Sequence, residues 1–212
     1  MSERRTEVTP ELEGHLSAYW DSVDPLIRRI NEDLHRREKY PMQISYEQVA
    51  FHGWLVRLVG ARRILEVGTY LGLSSAAFAL AMGEGGHVDT VEIEPEHADI
   101  AEGWFREGGI ADRVTVHRGP ALEVVPTLAG PYDMVFLDGA KVDNPKLMEL
   151  AIPLTRRGGL ILCDNTFRGG ELGADAPDAI ATRELLAATR TNPELDPAVI
   201  PVADGILVCR RL

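Results

Sequence analysis

The chain has 212 residues, 45% of them apolar and 26% charged, which suits one soluble globular domain with a sizeable core and excludes a collagen, a disordered tail and a disulfide-stapled miniprotein. Its 22 basic and 33 acidic side chains leave a net charge of −11, which counts against extended nucleic-acid or membrane-surface binding. The two cysteines, Cys163 and Cys209, sit in apolar stretches without metal-ligand or redox spacing, so no disulfide framework is expected and a reducing compartment fits.

The opening MSERRTEVTPELEGH is charged and lacks the apolar centre of a signal peptide, and no run approaches the roughly 20 apolar residues that span a bilayer. The expected location is cytoplasmic. From Thr9 to about Arg37, apolar residues including Leu12, Leu16, Val23, Ile27, Ile30 and Leu34 recur at threes and fours, interrupted by Pro25, which predicts a helical N-terminal arm over residues 1–41. Met42 to Gly60 carries a second amphipathic pattern ending at a glycine suited to a helix C-terminus.

After Gly60 short apolar runs alternate with helical segments. Arg63 to Val67, Val88 to Glu92, Val114 to His117, Met134 to Leu137 and Leu160 to Cys163 read as buried strands. Ser74 to Met82, Glu96 to Glu107, Ala121 to Leu128 and Lys146 to Leu154 read as the helices between them. A helix at Ala176 to Thr189 then leads to strands at Ala198 to Val202 and Ile206 to Arg210, joined by Ala203-Asp204-Gly205. The expectation is an α/β, doubly wound, mostly parallel sheet of seven strands with the last pair reversed, forming one domain over residues 42–212.

Open parallel sheets bind ligands beyond the carboxyl ends of their strands, so chemistry is sought there. ILEVGTYLGLSS places Glu66, Gly68 and Gly72 at the first strand-to-helix turn, where glycines admit a ligand to the backbone. The G-x-x-x-G spacing differs from the G-x-G-x-x-G that cradles a pyrophosphate, which disfavours a nicotinamide-dependent oxidoreductase. About 20 residues on, Glu92 ends the second strand, where a carboxylate can accept hydrogen bonds from both ribose hydroxyls. An adenosyl ligand without pyrophosphate fits both signals.

On these motifs the chain resembles the class I S-adenosylmethionine methyltransferases, in particular the metal-dependent O-methyltransferase family that includes catechol and caffeoyl-CoA O-methyltransferases. The likeness runs from about Met42 to the end. It implies that Glu66, Gly68, Thr69 and Ser74 contact the methionine portion of S-adenosyl-L-methionine and the cofactor edge, and that Glu92 holds the ribose. Met42 and Ile44 correspond to the segment that closes over the cofactor and Ala121 to the contact on the adenine side, while Tyr70, Gly72 and Asp138 complete the cofactor set.

PYDMVFLDGAK ends the fourth strand with Asp138 and puts Lys141 three residues later; GGLILCDNTFRGG ends the fifth with Asp164 and Asn165. If these strands are neighbours, about 4.8 Å apart, two carboxylates and one amide oxygen can reach a single point. Such hard oxygen donors suit Mg2+ or another divalent cation, although Asp and Asn after a strand also commonly cap a turn. The resemblance implies that Asp138, Asp164 and Asn165 bind the metal and that Lys141 is the general base. A cation there would acidify a phenolic hydroxyl and depress the pKa of Lys141.

The match thins after the first aspartate. Gly139 and Ala140 stand where the family commonly has larger side chains, which leaves room for a bulkier acceptor. The six histidines show no ligand spacing and receive no role. The cluster Arg28, Arg29, Arg36, Arg37 and Lys39 reads as a solvated helix face with interleaved Glu32, Asp33 and Glu38, and otherwise as a surface for an anionic acceptor. The reading is O-methylation of a small hydroxylated, vicinal-dihydroxy aromatic by a homodimer joined through the N-terminal arm, with no nucleic-acid or membrane partner. The alternatives are methylation of a modified tRNA nucleoside, a nicotinamide-dependent oxidoreductase, or a binding module that kept the fold.

Overall fold

The structure, a computed structural model, describes residues 8–19, 23–37 and 42–212. Among these, seven strands form one sheet: β1 (Arg63–Val67), β2 (His87–Glu92), β3 (Val114–Arg118), β4 (Tyr132–Leu137), β5 (Thr155–Cys163), β6 (Leu195–Ile200) and β7 (Ile206–Arg211). Their order is β3-β2-β1-β4-β5-β7-β6, so chain order reverses between β1 and β4. The strands β1 to β5 pair in parallel, and β7 is antiparallel to both β5 and β6.

Helices cover both faces. Ile64, Met134, Phe136 and Leu162 point to one side and pack with Phe78 of α4 (Leu73–Met82), Phe105 of α5 (Pro95–Glu107) and Val56 of α3 (Tyr46–Val59). Leu65, Val67, Val135, Leu137 and Ile161 point to the other, against α7 (Asn144–Leu154) and Leu185 of α8 (Pro177–Thr191). Each such fully buried large side chain contributes about 1.5–3 kcal/mol relative to exposure. Alternate residues serving opposite faces explains why these strands read as continuous apolar runs.

The N-terminal segment is joined to this core. The short α1 (Pro10–Leu16) buries nothing, but α2 (Pro25–Arg36), begun by Asp24 capping Leu26 N at 2.8 Å and by Pro25 at its first position, buries Leu26, Ile27, Ile30 and Leu34 in the same cluster as Phe78 and Phe105. Arg36 and Arg37 on it pair with Asp33, and Arg29 pairs with Glu107 of α5. The basic cluster is thus laced with acidic neighbours; Glu38 and Lys39 lie outside the described residues.

Three expectations are corrected. Only β7 runs against the sheet, because β6, reversed again relative to β7, points the same way as β1 to β5. The sixth strand begins earlier, at Leu195 opposite Arg211, and ends before Pro201, which has no N–H for a ladder. The helix expected over Ala121 to Leu128 stops as α6 (Ala121–Val124) and continues as a 3-10 turn, since Pro126 cannot donate to it.

Candidate active site

Strand register levels the site. Val67 is opposite Leu137 and Leu137 opposite Cys163, so the next residues, Gly68, Asp138 and Asp164, leave the sheet side by side. The backbone continues the ladder one step: Asp138 N donates to Val67 O at 2.9 Å, Asp164 N to Leu137 O at 3.2 Å and Gly68 N to Val91 O at 3.0 Å. A cavity of about 410 Å³ opens there, at the point where strand order reverses.

At one end of the cavity stands Glu92. Its carboxylate accepts from Tyr70 N at 2.6 Å and Glu94 N at 2.9 Å, which fixes the side chain while leaving acceptor capacity toward the opening. Tyr70 adopts φ +49° to turn its N–H that way. His97, given no role from the sequence, also lines the cavity, with Nδ1 3.8 Å from Glu92 and its ring edge-on to Tyr70. Met42, Gly68, Ala121, Gly139 and Ala140 complete this wall with Asp138 at the far end.

Five residues expected at the cofactor, Ile44, Glu66, Thr69, Gly72 and Ser74, are not among those lining the cavity. Ile44 is in the apolar core. Glu66 shares the face of Ile64 and Phe136 and so lies under α4, fully buried, accepting from Ser75 Oγ and, at 2.6 Å, from Thr90 Oγ1. Burial pushes its carboxyl up to about 7, against hydrogen bonds from Ser74, Ser75 and Thr90 that favour the charged form. Thr69 shares a 2.6 Å hydroxyl contact with Thr90. Gly72 at φ +91° starts α4, and a Cβ there would meet the Phe105 ring at 2.8 Å. Glu66 supports the loop from beneath, because a strand side chain on a covered face cannot also face the opening.

Behind Asp138, Lys141 Nζ lies 2.6 Å from its Oδ1, both largely buried; Lys141, Asp164 and Asn165 are not among the residues lining the cavity. Burial, the largest single effect, would lower the amine, but the charge and hydrogen bond of Asp138, with the charges of Cys163 and Asp164, together outweigh it and hold Lys141 above its ordinary value. Asp164 is pushed up to about 6, first by burial and then by the neighbouring Asp138 carboxylate. Its Oδ1 accepts from Asn165 N at 2.8 Å and its Oδ2 from Gln48 Nε2 at 2.9 Å. Asn165 takes φ +58°, a conformation asparagine tolerates better than most residues.

Among the described residues no group of three or more His, Cys, Asp or Glu is placed to hold a metal. The set here is two carboxylates beside an amide residue, with the Asp138 charge raising the proton affinity of Asp164. This chemistry fits a hard divalent cation that leaves positions for water or substrate.

Gln48 is the contributor that sequence reasoning missed. Its signal was present as Ser45-x-x-Gln48, the pattern of a capping box opening α3, but nothing local shows that the amide reaches a residue 116 positions away.

The sheet order, the glycine turn after β1 and the acidic residue ending β2 together define a Rossmann-like class I methyltransferase. A family model described as O-methyltransferase matches residues 15–212. The chain is 38% identical over 194 residues to a catechol O-methyltransferase of Mycobacterium tuberculosis, covering 90% of this chain and 88% of that one. Its structure superposes on cofactor-bound Rv0187 from MTB with TM-score 0.88 and 34% identity, over 98% and 99% of the two chains. It also superposes on the O-methyltransferase TomG of Streptomyces achromogenes in complex with SAM, with TM-score 0.87 and 27% identity over 95% and 96%. The chain belongs to the O-methyltransferase family, S-adenosylmethionine-dependent enzymes of this fold. That membership displaces the oxidoreductase and binding-module alternatives. No described helix is long and apolar enough to cross a membrane.

Proposed function

We propose that this enzyme moves the methyl group of S-adenosylmethionine to one hydroxyl of a small vicinal-dihydroxy aromatic, with a divalent cation held by Asp138, Asp164 and Asn165. The observation that carries this reading is the level exit of Asp138 and Asp164 from adjacent strands, with Lys141 against the first and the cavity running from there to Glu92. When bound, the cation supplies positive charge that acidifies the acceptor and favours adjacent hydroxyls. The ribose hydroxyls donate to Glu92, whose orientation Tyr70 N and Glu94 N fix. Gly68 brings the backbone of the first turn against β4; a Cβ there would lie 2.7 Å from Asp138 O.

In the transfer the acceptor oxygen forms a C–O bond as the C–S bond of the sulfonium breaks, giving a methyl ether and S-adenosylhomocysteine. The hydroxyl proton passes to Lys141 Nζ. While Lys141 pairs with Asp138 it holds its own proton; were that carboxylate engaged by a cation instead, the largest remaining effect would be burial, which lowers the amine's proton affinity, so that Lys141 would give its proton to solvent and be free to take that of the acceptor. Small Gly139 and Ala140 leave the wall beside Asp138 low, which suits an acceptor larger than a bare catechol.

The test is a panel of vicinal-dihydroxy, monohydroxy and methoxy aromatics with methyl-labelled cofactor, run with wild type and Lys141→Met. Label is expected on vicinal diols alone, with turnover at least about 100-fold lower in the variant. Equal labelling of monohydroxy compounds would overturn the acceptor class, and wild-type turnover of Lys141→Met across pH would overturn the base.

A further inference from the structure

Asp164 is oriented by a residue outside the strand-end motif. Gln48, buried on the first turn of α3, spends its side chain twice: Oε1 accepts from Ser45 N at 2.9 Å, and Nε2 donates to Asp164 Oδ2 at 2.9 Å. Ser45 Oγ in turn accepts from Gln48 N at 3.2 Å, closing the capping box. The amide therefore cannot rotate without losing both partners, because exchanging its oxygen and nitrogen would set donor against donor at Ser45 and acceptor against acceptor at Asp164.

The same junction holds residues 42–45, which bring Met42 to the cavity wall. Met42 lines the wall, Gln43 Nε2 donates to Asn31 Oδ1 of α2, and Asn31 Nδ2 donates to Tyr46 Oη at 2.8 Å. Residues 42–45 are thus pinned to α2 on one side and, through Ser45 and Gln48, to Asp164 on the other.

We propose that Gln48 is a positioning residue: it fixes the direction of the Asp164 carboxylate and couples it to the 42–45 segment, so that the cation site and this part of the cavity wall are organised together. The functional consequence rests on the reading that Asp164 is a cation ligand; the coupling does not. Neither the strand-end motif nor the glycine loop includes this residue, and its role follows from a contact between α3 and the end of β5.

The discriminating substitution is Gln48→Glu, which keeps the acceptor for Ser45 N and removes the donor to Asp164. A residue needed only for the helix cap would tolerate it. Hydrogen exchange is measured on the full chain in chelator, together with Gln48→Ala and Asp164→Ala. Gln48→Glu is expected to speed exchange of the Asn165 amide by about tenfold, and Asp164→Ala to speed exchange across residues 42–48 by a similar factor, the effect of losing one hydrogen bond to a charged group. Changes below twofold at both places in these folded variants would overturn the proposal.

Titration with Mn2+ alone then reads the consequence: Gln48→Glu and Gln48→Ala are expected to bind at least about tenfold more weakly than wild type, as when the outer partner of a ligand is lost. Affinity equal to or tighter than wild type in both would refute the positioning of a ligand. A wild-type protein that takes up no Mn2+ would refute the proposed donor set instead, leaving the exchange result to decide the coupling.

Discussion

Asp164→Asn is expected to make the protein relatively more stable as pH rises. In the folded chain this carboxyl is raised from its ordinary 3.8 to about 6 by burial and by Asp138. The folded protein therefore keeps a proton that the unfolded chain has released between those values. Stability falls as pH rises through this window, and the loss is complete above it. At 1.36 kcal/mol per unit the whole effect is about 3 kcal/mol, of which about 2 kcal/mol falls between pH 4.5 and 7.5. The amide has no such transition, and the hydrogen bond it loses to Gln48 adds an offset that does not vary with its own charge. Urea unfolding of both proteins in chelator, from pH 4.5 to 7.5, gives a difference curve in which other titrating groups largely cancel. A rise of about 2 kcal/mol in favour of the variant is the expected result. A flat difference, or one that falls with pH, would refute the claim that Asp164 carries its charge at a cost.

Gly72→Ala should lower stability by roughly 2–4 kcal/mol, combining a left-handed φ with a Cβ driven into the Phe105 ring, and a thermal midpoint within a degree or two of wild type would contradict that. Glu92→Gln should weaken S-adenosylhomocysteine binding about tenfold by calorimetry with little change in turnover at saturation, because its proposed partner is the ribose and not the reacting centre. Dimerisation is proposed through the arm, where exposed Tyr19 and Trp54 border one groove beside α2. Sedimentation of Tyr19→Glu with Trp54→Glu should show a monomer, and an unchanged mass would place any interface elsewhere.

The sheet was legible because buried parallel strands announce themselves as apolar runs between helical spacings, and the two strand-end motifs fell where topology requires ligands. What sequence could not show depends on contacts between distant elements. Glu66 is on the expected strand and Gly72 in the expected loop, but what each serves is decided by the packing of α4 and Phe105. The direction of the last strands was obscured because a tight turn shows only that two strands oppose one another, and insertion of β7 between β5 and β6 sets which one reverses. The ion pair of Lys141 with Asp138 follows from the turn after β4, which brings residues three apart within 2.6 Å. His97 has no ligand spacing, so only the fold reveals its place beside Glu92.

The central claim is that Asp138 and Asp164 share one hard cation. Calorimetric titration of Mg2+ into chelator-stripped enzyme saturated with S-adenosylhomocysteine tests it most directly, with Asp138→Asn and Asp164→Asn as comparisons. One site per chain in wild type, weakened at least about tenfold by either substitution, is the predicted outcome. Heat of binding absent from wild type, or identical in all three proteins, would contradict the account.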